Sequence, residues 1–234
     1  MNSTNNVGRG IGLLFLLIFI MGILVYQFLQ GPILFSEDFL TTAAPNTNKL
    51  ITSVLLGGLS GLFSITISAL LFPVFKKYST TLAILYLAFS ILDFVAISID
   101  NTSVLAMLEL SKEYVTNVEV NTGMLEAMAP IYSQKHWWTH YLSLLTSCFS
   151  VFVLYFAFYR TKLIPRIFSG FGMLAVLLMF IEMLASILGE GISMNMLLPM
   201  GLIQLILPLW LLVKGLNTKW LETNFRVAGL SNKM

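Results

Sequence analysis

Residues Ile11–Gln30 read IGLLFLLIFIMGILVYQFLQ, twenty residues without a charge. A bilayer core about 30 Å thick is crossed by about 20 mostly apolar residues in a helix. This stretch, with Gly10 before it and Gly31-Pro32 after it, therefore predicts a membrane span over 10–30. Its apolar run is longer than the 7–15 residues or so of a signal-peptide core, so it reads as an uncleaved anchor. Working outward, five further stretches have the same character: 50–72, closed by Pro73, then 81–99, 136–159, 167–188 and 197–213. The whole chain agrees: of its 234 residues, 57% are apolar and only 10% charged, against about 45–50% and 25% in a soluble domain. So few charges cannot cover so much apolar surface in water. The composition excludes a soluble enzyme, a nucleic-acid binder and a disordered chain. A single cysteine, Cys148, excludes an intrachain disulfide framework. The expected fold is all-α, a polytopic membrane protein with one integral domain over 1–234 and a bundle of six transmembrane helices.

Orientation follows from lysine and arginine. With six spans both ends share a side, and on it lie Arg9, Lys76, Lys77, Arg160, Lys162, Arg166, Lys214, Lys219, Arg226 and Lys233, ten of the thirteen basic residues. The opposite loops hold Lys49, Lys112 and Lys135, together with Glu37, Asp38, Glu113, Glu119, Glu126 and Glu190. The positive-inside rule then places both termini in the cytoplasm. In the long outer connection, 100–135, Val104, Leu105, Leu108 and Leu110 alternate with Glu109, Lys112 and Glu113. That pattern predicts a partly helical loop, with a short amphipathic helix starting after an Asp100-Asn101-Thr102 cap.

With the spans placed, the chain resembles the bacterial membrane family DUF4386, a domain of unknown function. The resemblance is carried by the first span from Gly10, by LLFPVFKKY at Leu70–Tyr78, and by YFAFYRTKLIPR at Tyr155–Arg166. Gly170–Gly172 and LWLLVKGL at Leu209–Leu216 extend it to nearly the whole chain. It implies a multi-span integral protein of a bacterial inner membrane, and brings no activity and no functional residues.

Ionisable groups inside a membrane are costly and mark candidate sites. Asp93 and Glu182 lie equally far from the outer ends of their spans, and so at the same expected depth in the outer half of the membrane. Each costs roughly 3 kcal/mol at a helix centre, which the surrounding Leu, Ile, Phe and Val residues offset at roughly 0.3–0.6 kcal/mol apiece. His140 lies a turn inside the fourth span and Gln204 two turns inside the sixth. Tyr86, Ser90, Asp93 and Asp100 share one helix face, as do His136, His140, Ser143, Ser147 and Ser150. Asp93, Glu182, His140, Gln204, Tyr86 and Asp100 are therefore the pocket candidates. In the second span Ser53, Gly57, Ser60, Gly61 and Ser64 form a small-residue face suited to helix packing or to a homo-oligomer.

Three functions fit these residues. The first is a polar pocket in the outer half of the bundle that binds or transports a small ligand or an ion. The second is an intramembrane metal-dependent hydrolase. His136 and His140, at i and i+4, with a carboxylate from Asp93, Asp100 or Glu182, would leave zinc an open position. Against it, the pair lacks the Glu of His-Glu-x-x-His, and Lys135-His136-Trp137-Trp138 also reads as an interfacial anchor. The third is a purely structural or partner-binding role, with the carboxylates as hydrogen-bonding links between helices. No complete catalytic motif is present, so the balance is against an enzyme. No cofactor is required, zinc being the one the histidine pair could hold. The partner is the lipid bilayer, and no feature suits nucleic acid.

Overall fold

In a computed structural model the structure describes residues 2–36, 38–116, 122–190 and 193–217, and among them no strand occurs. The reason is physical: hydrocarbon offers no partner to an N–H or C=O, so each spanning segment satisfies its own backbone as a helix. The elements are α1 (Asn2–Ile23), a π-helical turn (Leu24–Leu29), α2 (Gly31–Leu34), α3 (Phe39–Thr42), a 3-10 turn (Ala44–Asn46), α4 (Thr47–Tyr78), α5 (Thr80–Thr116), α6 (Thr122–Thr161), α7 (Arg166–Ile187) and α8 (Met194–Lys214). Six of these stretches are long and apolar enough to cross a membrane.

Three boundaries differ from the sequence reading. Pro73 does not close the second span; α4 runs through it to Tyr78, placing Lys76 and Lys77 in the last turn, where the helix dipole favours positive charge. The Asp100-Asn101-Thr102 segment caps no separate helix. It lies within α5, whose 37 residues contain neither glycine nor proline to stop them. The outer connection is thus no loop with a short helix lying across the bundle, but the continuation of α5 and α6 as a helical pair. At 1.5 Å per residue these helices reach about 55–60 Å, far beyond a bilayer core of about 30 Å.

The long helices pack in chain order: α1 on α4, α4 on α5, α5 on α6, α6 on α7, α7 on α8, and α8 back on α1. That last contact closes the ring, and glycine permits it. A Cβ on Gly12 would stand 2.8 Å from the Leu211 Cβ, 2.9 Å from the Leu212 nitrogen and 3.0 Å from the Pro208 oxygen, and one on Gly8 would collide with the Leu216 nitrogen. On α4, Ser53, Gly57 and Gly61 are spent inside the chain. Ser53 Oγ accepts from Gln30 Nε2 at 3.0 Å, Gly57 faces Asn101 and Gly61 faces the Phe94 ring. Ser60 and Ser64 are half-buried beside them.

The two ends of the bundle differ. At the end holding the described termini, Asn217 N–H donates to the Leu163 carbonyl (2.8 Å) and Arg160 Nε donates to the Tyr78 hydroxyl (2.7 Å). Arg9, Lys76, Lys77, Arg160, Lys162, Arg166 and Lys214 therefore gather at this end, while Lys219, Arg226 and Lys233 lie outside the described residues, as do Glu37 and Glu119. The core here is built on Phe75, Tyr86, Tyr155 and Phe158. Around the ring large apolar side chains point outward, Leu55, Ile84, Leu174 and Leu198 each more than half exposed, the arrangement expected of a surface solvated by lipid. At the opposite, distal end a second small core joins Ile33, Leu34, Phe39 and Leu40 to Val104, Met107 and Leu108. Ser111 ties it down, donating to the Leu40 carbonyl at 2.6 Å and accepting from Ala44 N–H at 2.8 Å.

Ring closure yields a test. Gly12→Leu should lower stability by about 1–3 kcal/mol or more through overpacking against backbone. Gly10→Leu, where nothing stands within 4 Å of a new Cβ, should be close to neutral. Thermal unfolding of the two variants in the same detergent compares them directly.

Candidate functional site

The polar face of α5 meets the polar face of α6 at Asp100. Asp100, His136 and His140 are 5%, 3% and 7% exposed, and each carboxylate oxygen faces one imidazole. His136 Nδ1 lies 3.2 Å from Oδ1 and His140 Nδ1 lies 3.3 Å from Oδ2. Thr139, between the two histidines, donates to Oδ1 at 2.9 Å. Ser103, one turn along α5, donates to the Asp100 carbonyl at 2.7 Å and stands 3.0 Å from His136 Nδ1 and 2.8 Å from Thr139 Oγ1. Five residues on two helices thus form one network. Since an ionised carboxylate only accepts, both Nδ1 atoms act as donors to it, which leaves each Nε2 as the nitrogen that can gain or lose a proton.

Aromatic rings from the first hairpin cover the network. Tyr26 stands edge-on to His140, with centroids 5.2 Å apart. Phe35 lies 5.8 Å from His136 and 6.1 Å from His140. Tyr26 belongs to the π-helical turn, a form of helix that occurs mostly as single turns and often at functional sites. Twenty residues separate Thr80 from Asp100 along α5, a rise of about 30 Å. The network therefore lies about one bilayer thickness from the start of α5, at the junction between the apolar ring and the distal core.

The other candidates fall differently. Asp93, two turns nearer the termini on the same α5 face, is 7% exposed, and its Oδ1 has no hydrogen-bond partner. Tyr86, two turns further, is buried with its ring edge-on to Phe75 at 5.7 Å, a core position. Glu182, 2% exposed, accepts from Ser193 N–H at 2.6 Å at the entry to α8, where a carboxylate also suits the helix dipole. α5 has its main packing with α4 and α6 rather than with α7, so Glu182 serves the α7–α8 connection while Asp93 belongs to the α5 face. Gln204 is exposed on α8, since the inward stripe of that helix is Met200, Ile203, Leu207 and Leu211. Among the described residues no group of three or more His, Cys, Asp or Glu side chains could hold a metal ion.

Four members of the site escaped the sequence reading: Ser103, Thr139, Tyr26 and Phe35. Ser103 follows Asp100 by one helical turn, and Thr139 sits on the histidine face, so the 3.6-residue period contained the signal for both. Tyr26 and Phe35 depend on the π turn and the short helix after it, which no local pattern announces.

With this geometry in place the chain can be compared with known proteins. The profile of a family described as Domain of unknown function (DUF4386) matches residues 11–215. The chain belongs to the DUF4386 family. No curated protein and no solved structure matches it. In this DUF4386 protein the matched region holds five of the six apolar helices whole, the first from residue 11 onward, and every residue of the network just described.

The network should be worth measurable stability. Hydrogen bonds to a charged group contribute about 1.5–3 kcal/mol each, so Asp100→Ala should cost about 3 kcal/mol or more. Glu182→Gln, which keeps an acceptor for Ser193 N–H, should cost at most about 1.5 kcal/mol. Chemical or thermal unfolding in one detergent ranks the two.

Proposed function

We propose that this protein is a proton-binding membrane protein, with both termini in the cytoplasm, whose distal Asp100–His136–His140 site takes up and releases protons as part of ion transport. The observation that carries this reading is the buried carboxylate with one imidazole on each oxygen. Imidazole is the side chain whose ordinary titration falls between about pH 5 and 8. With an ionised Asp100 the site holds one net positive charge when both imidazoles are protonated and one net negative charge when both are neutral. Thr139 supports the role by holding Asp100 Oδ1 and Ser103 by contacting His136 Nδ1, which directs proton exchange to Nε2.

One feature favours a second reading. Carboxylate contact to Nδ1 is also how metal-binding imidazoles are oriented, and two Nε2 atoms could bind zinc given a third ligand, the starting point for a hydrolase. Metal analysis of the purified protein separates the two. Zinc at one equivalent, lost in His136→Ala/His140→Ala, would favour the hydrolase.

For the proton reading, the protein is reconstituted into liposomes containing a pH dye, with a membrane potential imposed. The wild type should carry a proton flux above that of empty liposomes, and Asp100→Asn or the double histidine variant should lose most of it. Flux equal to empty liposomes would overturn the carrier. Orientation is checked in a Cys148→Ala background: a cysteine at Lys77 should react only with a permeant thiol reagent, and one at Glu113 with an impermeant reagent from outside.

A further inference from the structure

The α5 face that ends in Asp100 continues toward the middle of the bundle. Asp93 is 7% exposed, and its Oδ1 has no partner, a condition that only Ser186 Oγ shares among the buried side-chain oxygens and nitrogens described. No described ion pair includes it. The titratable groups within electrostatic reach are Tyr86 on α5 itself, Tyr26 from the π turn and Cys148 from α6. α4, which packs along the same helix, contributes no titratable side chain between Leu50 and Phe72. None of these groups is a cation. A carboxylate so placed cannot remain ionised and unpaired without a large cost in solvation, and intramembrane acids in this position commonly belong to proton pathways.

Tyr26 is within electrostatic reach of both acids, Asp93 and Asp100, and its ring lies edge-on to His140. Its side chain is 38% exposed at the edge of the bundle. Its phenol is at once donor and acceptor. The π-helical turn that carries it adds a residue to the helical repeat, which re-aims the side chain relative to a regular helix.

We propose that Asp93 is a second, inner proton-binding site, connected to the Asp100 network through the Tyr26 hydroxyl. In a transfer the phenol oxygen accepts the Asp93 proton, directly or through one water, while its own hydroxyl proton passes to the carboxylate–imidazole network. Rotation of the hydroxyl then resets the link. No electron moves and no co-reactant is consumed. Only the link to the network rests on the proton reading of the distal site; the Asp93 site stands by itself.

Infrared spectroscopy of the protein in lipid nanodiscs tests both parts. At neutral pH the wild type should show the carbonyl band of a protonated carboxylic acid, moving to lower frequency in D2O. Asp93→Asn should abolish it, whereas Asp100→Asn and Glu182→Gln should not. Asp93→Glu should shift the band without removing it, and this variant decides the matter if Asp93→Asn does not fold. Absence of the band in the wild type, or its survival in Asp93→Asn, overturns the inner site. Tyr26→Phe should leave the band in place but slow its response to D2O by about a hundredfold, the scale on which a positioned proton donor acts. An unchanged exchange rate overturns the Tyr26 link. A protein that shows the Asp93 band but carries no proton flux would remove the transport reading and leave the inner site.

Discussion

Hydrocarbon cannot hydrogen-bond, and that constraint organises this molecule down to its hydroxyl groups. A backbone in lipid has to satisfy itself, which leaves helices as the spanning elements of a chain of this composition. The same requirement reaches the side chains. Ser68, Ser90, Ser98, Ser143 and Thr161 all donate to a carbonyl three or four residues back on their own helix. Each such bond removes the cost of a lone hydroxyl without calling on a neighbouring helix. Against this background the hydroxyls that reach across helices stand out. Ser103 and Thr139 do so at the Asp100 network, Ser53 at the Gln30 contact and Ser111 at the distal core. Ser53, Ser103 and Thr139 also have a carbonyl of their own helix within reach, so it is the additional partner on another element that marks where helices are joined.

Charge obeys the same rule at higher stakes. Asp100 lies where α5 and α6 leave the apolar ring, and it gathers two imidazoles and a hydroxyl on its two oxygens. Glu182 solves its problem separately, with the backbone nitrogen of Ser193 at a helix entrance. Asp93 has neither solution. Three buried acids thus have three different environments: a histidine face for Asp100, an open helix end for Glu182, and no hydrogen-bond partner for Asp93 Oδ1. The matching positions of Asp93 and Glu182 along their spans in the sequence say little about which acid does chemistry. The facing element decides.

Much of this was legible in the sequence, and for reasons that can be stated. Six apolar stretches of spanning length are hard to read otherwise, because nothing else absorbs so much apolar surface. The buried faces of α5 and α6 followed from a period of 3.6 residues, which placed Asp93 with Asp100 and His136 with His140. The meeting of those two faces was not legible, because a connection read as spanning 100–135 leaves open which helices are neighbours. Helix ends were hard to read as well. Pro73 reads as a stop, yet in a membrane helix the freed carbonyl finds other partners and the helix continues. Asp100-Asn101-Thr102 reads as a cap because those residues cap helices in water. Here their polar atoms are occupied elsewhere: Asp100 by α6, Asn101 by the Val54 carbonyl at 3.3 Å, Thr102 by the Ile99 carbonyl at 2.6 Å. With no orphan N–H left to cap, the helix runs on.

Most resistant to sequence reading was the first hairpin, and the reason is its backbone. From Leu24 the helix widens to a π turn, with Gln30 N–H reaching the Val25 carbonyl at 2.8 Å. One extra residue in the repeat rotates everything after it by roughly a quarter turn or more relative to a regular α-helix. A helical wheel drawn through Tyr26 and Gln30 at constant period therefore assigns them the wrong neighbours. In the fold Gln30 donates to Ser53 on α4 and Tyr26 meets His140 on α6, so one short irregular turn bridges two different helices of the ring. A regular helix would present residues four apart to one neighbour. The π turn allows the first hairpin to grip α4 and cover the histidine pair at once, and it is there that the bundle and its polar site become a single structure.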